Sequence, residues 1–128
     1  MGDGMTDIEN ITTLSVADAV RFVSRAFVQA GVSEANAATV AAALVAAEID
    51  GQKGHGLSRV KSYALQARSG KVNGTAVPQL EICSAGRIRV DAQNGFAFPA
   101  IALAISELLT RLPETGIAAA GIIRSHHA

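Results

Sequence analysis

The sequence predicts an α/β chain in which three helices come first, then a β-hairpin, then a β-α-β piece of a larger sheet. Three observations carry this reading. Apolar residues recur at helical spacing as far as Ser69, in runs cut by Gly31, Gly51 and Gly70. Period-two alternation follows at Leu80 and Ile82, and again at Ile88 and Val90, across a Ser84-Ala85-Gly86 turn. A further helical pattern then leads into an unbroken apolar stretch at 117–123, as expected for an inner strand of a covered sheet.

Residues 1–13 carry little apolar periodicity and read as a loose leader. Ser15 can cap a first helix, with Asp18 three residues on and Val16, Val20, Val23 and Phe27 at helical spacing up to Gly31. Ser33 starts a second helix that runs to about Asp50, with Val40, Leu44 and Ala47 on one face. Alanines at 35, 37, 38, 41, 42, 43 and 46 surround that face and predict an internal rather than a solvated helix. A third helix over 57–69 turns Val60, Tyr63, Ala64 and Ala67 inward, and Gly70 closes it. Residues 71–78, with Asn73-Gly74 and Pro78, have the turn chemistry of a linker. That linker divides a helical segment at 14–72 from the start of an α/β domain at 73–128. Asn94-Gly95 leads into a fourth helix with Pro99 near its first turn. Ile101, Ile105, Leu108 and Leu112 form its apolar face, and Pro113 and Gly116 its stop. The strand at 117–123 completes a strand-helix-strand crossover, right-handed if its strands are parallel. An inner strand needs cover, yet only Arg124-Ser125-His126-His127-Ala128 follows, so the chain is expected to be the truncated, N-terminal part of a larger enzyme.

With 128 residues and 49% of them hydrophobic, the chain can build one modest core. Eleven basic side chains balance eleven acidic ones, so no long-range field favours nucleic acid or an acidic membrane surface. The lone Cys83 excludes an internal disulfide and, placed in a strand, reads as a small buried hydrophobe. No Cys/His spacing matches a zinc site, and no metal is expected; the vicinal His126-His127 pair alone makes a weak one. The N-terminus lacks the basic and apolar regions of a signal peptide, and no run approaches the roughly 20 apolar residues of a membrane span. A cytoplasmic location is the expectation.

The chemistry concentrates in Asp50-Gly51-Gln52-Lys53-Gly54-His55-Gly56-Leu57-Ser58-Arg59. If a helix begins near Gly56, its unpaired N–H groups, its positive dipole end, His55 and Arg59 converge on a volume suited to a carboxylate. On spacing alone, His55 equally suits an ordinary loop histidine, Arg59 better suits a solvated helix residue, and His126-His127 also suits a tail. At the other end, polar residues just past a buried strand occupy the position where open sheets place their chemistry. No G-x-G-x-x-G occurs, so a Rossmann-type cofactor site is not supported.

These motifs occur together in one order: Ala47-Glu48-Ile49-Asp50-Gly51, Gly54-His55-Gly56-Leu57-Ser58-Arg59-Val60, Tyr63, and Ser69-Gly70-Lys71-Val72-Asn73. Val90-Asp91-Ala92-Gln93-Asn94-Gly95-Phe96-Ala97 and Ser125-His126-His127 follow. In that order they resemble the N-terminal signature of the malate/L-lactate dehydrogenase family of non-Rossmann, NAD(P)-dependent oxidoreductases. The wording around residues 69–74 and 91–97 is most similar to the reductases of Δ1-pyrroline-2-carboxylate and Δ1-piperideine-2-carboxylate. The resemblance implies a complete enzyme two to three times longer, using NAD or NADP at a site built largely from segments outside these residues. No residue of this chain is assigned to the cofactor.

It further implies that His126, the first histidine after Ser125, is the proton donor and acceptor, and that His55 and Arg59 hold a small carboxylate substrate. A histidine titrating near neutrality and an arginine's planar fork suit those two tasks. Gly54 stands where most members have a serine, which removes a hydroxyl and tilts the substrate from 2-hydroxy acids toward cyclic imino acids. The partners expected are that small carboxylate and a second copy of the chain or a downstream polypeptide. The alternative is a non-catalytic assembly module.

Overall fold

A computed structural model describes residues 11–127; residues 1–10, most of the predicted leader, and Ala128 lie outside the described residues. The elements are α1 (Val16–Gln29), α2 (Glu34–Ile49), two 3-10 turns (Lys53–His55 and Leu57–Arg59) and α3 (Val60–Ser69). After a connecting ribbon come β1 (Gln79–Ser84), β2 (Arg87–Asp91), α4 (Ala97–Thr115) and β3 (Ala119–Ile123). The fold is therefore α/β, with helices first and a small mixed sheet second. No helix among the described residues is long and apolar enough to cross a membrane.

Local chemistry explains the helix ends. Ser15 Oγ accepts the Asp18 N–H at 3.1 Å, and Ser33 Oγ accepts that of Asn36 at 3.3 Å, so both predicted N-caps satisfy a first-turn donor. At the other end of α1, Gly31 takes φ 93°, Val32 N donates to Phe27 O at 3.0 Å and Gly31 N to Val28 O at 3.0 Å. That pair of bonds closes α1 and turns Val32 back into the core beside Phe27. Burying Phe27 completely contributes about 2–3 kcal/mol.

The ribbon at 71–78 is packed, not loose. Val72 and Ala76 are buried, and buried Asn36 donates from Nδ2 to Gly74 O at 3.0 Å and to Ala76 O at 2.8 Å. Phe96, from beyond the ribbon, joins Phe27, Leu44 and Tyr63 in the helical core. A second cluster, of Val90, Ala92, Ala100 and Ala104 with Leu80, Leu103, Ala120 and Ile122, fills the space between α4 and the sheet.

The sheet order is β1-β2-β3, with β1 and β2 antiparallel and β2 and β3 parallel. Leu80 faces Val90, Ile82 faces Ile88 and Val90 faces Ile122, the alternation expected of the hairpin. Among the described residues β3 pairs on one side only, with β2, and Ile117, just before it, is 81% exposed. Four expectations need correction. The alanine-rich helix has one solvated side, because Ala35, Ala38, Ala42 and Ala46 are exposed opposite Ala37, Val40, Ala41 and Leu44. Alanine favours helix wherever it faces, so its abundance marks propensity and not burial. Pro113 lies inside α4, and Gly116, at φ 72°, ends the helix. A proline in the last turn removes a single hydrogen bond, here on an exposed side. α4 also packs through Ala97, Ala100 and Ala104 and leaves Ile105 and Leu112 exposed. Cys83 is exposed, at the register irregularity between Ile82 and Ser84 near the end of β1.

Candidate active site

Between α2 and α3 the chain folds into a tightly bonded joint. Gln52 N donates to Ala47 O at 2.8 Å and His55 N to Gln52 O at 2.8 Å. Ser58 Oγ donates to Lys53 O at 2.7 Å, and Arg59 Nε donates to Gly54 O at 2.6 Å. The guanidinium is thus aimed by its own loop, while its two terminal nitrogens form no salt bridge among the described residues. His55 is exposed and forms no side-chain hydrogen bond among them. One part of the expected anion cradle is already filled. The Leu57 N–H, first of the helical stretch, donates to Glu48 Oε2 at 2.9 Å, so the protein's own carboxylate occupies that donor.

The second part of the site is the exit of β3. Arg124, at φ 51°, forms a two-pronged pair with Asp91, Nε to Oδ1 at 3.0 Å and the terminal nitrogen to Oδ2 at 2.6 Å. The Asp91 carboxyl is held below its usual value by Arg124 and by the Gln93 N–H, and the Arg124 guanidinium is raised by Asp91 in return. The next residues dock through the main chain, with His126 N donating to Gly95 O at 2.9 Å and Ala97 N to His126 O at 2.8 Å.

These bonds set the two histidines differently. His126 is half-buried and forms no side-chain hydrogen bond among the described residues. His127 stacks on Tyr63 with ring centroids 4.3 Å apart and planes at 20°, and its Nε2 meets Gln66 Oε1 at 2.6 Å. With Gln66 Oε1 accepting, the His127 proton sits on Nε2, and Nδ1 keeps its lone pair. Burial pushes the His127 pKa below its ordinary value, and the positive charges of His126, Lys71 and Arg59 push it further the same way.

Tyr63 and Gln66, three residues apart, lie on one face of α3, and His127 rests on that face. Arg59 stands in the 3-10 turn just before this helix, and its charge is among those felt at His127, whose ring lies 6.2 Å from that of His126. No hydrogen bond or ring contact joins His55 to either histidine. His126 forms an isolated bridge with Phe96 and His127 takes φ 54°, so which of the two rings meets α3 is a tertiary fact that sequence spacing does not carry. The three-residue spacing of Tyr63 and Gln66 is the one sequence signal for a ring partner on α3.

The β2–α4 turn, where an α/β sheet could cradle a dinucleotide phosphate, is closed. The N–H groups of Ala92, Asn94, Gly95 and Ala97 donate to Ile123 O, Arg124 O, Ala92 O and His126 O at 2.8–2.9 Å, and Gln93 N donates to Asp91 Oδ1 at 2.8 Å. The residues present do not fit a nicotinamide dinucleotide at this turn. Among the described residues no three His, Cys, Asp or Glu side chains gather as a metal group.

A profile of the malate/L-lactate dehydrogenase family matches residues 14–128. The (2R)-3-sulfolactate dehydrogenase (NADP(+)) of Chromohalobacter salexigens is 41% identical over 114 residues, covering 89% of this chain and 34% of that protein. The Δ1-pyrroline-2-carboxylate/Δ1-piperideine-2-carboxylate reductase of Pseudomonas syringae pv. tomato is 39% identical over 115 residues, 90% of this chain and 34% of that one. The crystal structure of Δ1-piperideine-2-carboxylate reductase from the same organism superposes with a TM-score of 0.88 at 38% identity, over 91% of this chain and 35% of that one. The chain thus spans about a third of the length of the curated relatives it matches.

Proposed function

The chain belongs to the malate/L-lactate dehydrogenase family, and from that premise we propose that it supplies the carboxylate-anchoring and proton-transfer part of an NAD(P)-dependent oxidoreductase. The substrate class is a small 2-oxo or 2-hydroxy acid, or a cyclic 2-imino acid. The observation that carries the proposal is His127 seated on Tyr63 and Gln66 of the helix that Arg59 leads into, where the charge of Arg59 is felt. NAD or NADP supplies or accepts the hydride, at a site that the resemblance places largely in segments outside these residues.

The chain's own share is orientation and one proton. Arg59, aimed by Gly54 O, offers two donors to the substrate carboxylate, and His55 supplies a further donor from the same joint. The atom that exchanges a proton in such a substrate, the C2 oxygen or the ring nitrogen, lies one carbon from that carboxylate. His127 Nδ1 carries the lone pair that would accept this proton on oxidation and return it on reduction. Its lowered pKa keeps it neutral, and so ready as the base, near pH 7. We assign the proton to His127 and keep His126, its neighbour, as the competing assignment. Gly54 and the named activity of the Pseudomonas relative support the imino acid; the Chromohalobacter relative supports a hydroxy acid. A cytoplasmic location goes with this reading.

A chimera tests it: residues 14–128 replace the matching third of the Pseudomonas syringae reductase. It should reduce Δ1-piperideine-2-carboxylate with NADPH, and His127→Asn should lower kcat by about 10²–10⁴-fold. A larger loss in His126→Asn than in His127→Asn would pass the proton to His126. A folded chimera that reduces neither imino nor 2-oxo acids would end the substrate reading.

The second reading is an assembly module, pairing with another copy or with a separate polypeptide. Among the described residues, the β3 edge paired on one side and the exposed Ile117 and Ile123 favour it.

A further inference from the structure

Glu48 is the penultimate residue of α2, and its carboxylate reaches across the joint to accept the Leu57 N–H at 2.9 Å. Gly56, the preceding residue, leaves no room for a side chain. A Cβ there would stand 2.3 Å from the same carboxylate oxygen and 3.0 Å from the Glu48 main-chain nitrogen. A hydrogen bond and a close backbone approach thus independently fix the Gly56-Leu57 peptide against Glu48.

The orientation of Arg59 depends on that peptide. Arg59 N donates to Gly56 O at 3.0 Å, while Arg59 Nε donates to Gly54 O at 2.6 Å. The main-chain bonds from Gly51 to Glu48 O and from Gln52 to Ala47 O hold only the near side of the loop. Glu48 is the one α2 side chain hydrogen-bonded to its far side among the described residues. We infer that Glu48 is a positioning residue of the proposed carboxylate site. It occupies the N–H that would compete for the ligand, and it holds the joint so that the Arg59 terminal nitrogens remain unclaimed by the protein. This rests on the carboxylate reading above. A charged acceptor at the start of a helical stretch is favoured by its dipole, and glutamine keeps the reach and an acceptor oxygen where alanine keeps neither.

The test uses the 128-residue chain, with pyrrole-2-carboxylate, a planar analogue of Δ1-pyrroline-2-carboxylate, as the probe. Glu48→Ala and Gly56→Ala should each weaken its binding about tenfold or more, and Glu48→Gln should stay within about threefold of the parent. Without ligand, Glu48→Ala should shift the Arg59 Nε–H resonance and speed exchange of the Leu57 amide, and Glu48→Gln should preserve both. A lowered melting temperature with unchanged affinity and an unmoved Arg59 resonance would make Glu48 an ordinary helix cap and overturn the inference. If the parent chain does not bind the probe, the carboxylate reading fails; the ligand-free Arg59 resonance still decides whether Glu48 sets the joint.

Discussion

Replacing Gly95 by alanine should destabilise the protein where the ribbon at 71–78 and the β2–α4 turn are in closest contact. The added Cβ would stand 2.7 Å from Ala76 Cβ, 3.0 Å from Ala92 O and 3.2 Å from Asn73 O. Carbon atoms at ease sit about 3.5–4.0 Å apart, so the ribbon and the β2–α4 turn must separate. Overpacking of this kind costs about 1–3 kcal/mol. For a 128-residue chain unfolding with about 2.1 cal/mol/K per residue, that is a fall of about 4–11 °C in melting temperature. The assay is thermal and urea unfolding of Gly95→Ala, Ala76→Gly and the double variant. Ala76→Gly removes the nearest obstacle and leaves both carbonyls, so the double variant should be more stable than the summed singles by about 1 kcal/mol. Gly95 O also accepts the His126 N–H, so the His126 and His127 imidazole signals should move in Gly95→Ala. An unchanged melting temperature, or strictly additive variants, would refute the packing described.

Asn36→Ala should cost about 2–3 kcal/mol, because it leaves Gly74 O and Ala76 O without the donor that pins the ribbon, and urea unfolding measures it. Stability should also depend on His127. Its folded pKa lies below the ordinary value of about 6.5, so in acid the unfolded chain takes up the proton first. The contribution is therefore complete above about pH 6.5 and is lost as pH falls below it. His127→Phe, which keeps a ring against Tyr63, should flatten the stability profile between about pH 7.5 and 5.5; an unchanged slope would remove His127 as its cause.

Much of this architecture is legible in the sequence because it is local. Ser15 and Ser33 cap helices by bonding their own neighbours, Gly70 takes φ 83° where α3 ends, and the Leu80–Val90 alternation follows from strand geometry. What escaped depends on the partner. Ile105 and Leu112 have helical spacing, yet α4 meets the sheet through its alanines, which permit the close approach. Cys83 lies in a strand as expected, but in the end of β1 where Ile82 and Ser84 on either side are also exposed, so strand membership does not bury it. In the joint, His55 and Arg59 stand out by type and spacing, whereas the acceptor of the Leu57 N–H comes from Glu48, nine residues earlier on another helix. Which of His126 and His127 rests on α3 is of the same kind, since it is set by the docking of the β3 exit on that helix.

The claim that Arg59 and His127 serve one carboxylate is tested most directly by titrating the histidine imidazoles by NMR, with and without pyrrole-2-carboxylate. An anion held by Arg59 next to His127 favours the imidazolium, so the probe should raise the His127 pKa in the parent chain and leave it unmoved in Arg59→Ala. A probe that binds while the His127 pKa stays constant, or that shifts His126 alone, would contradict the account.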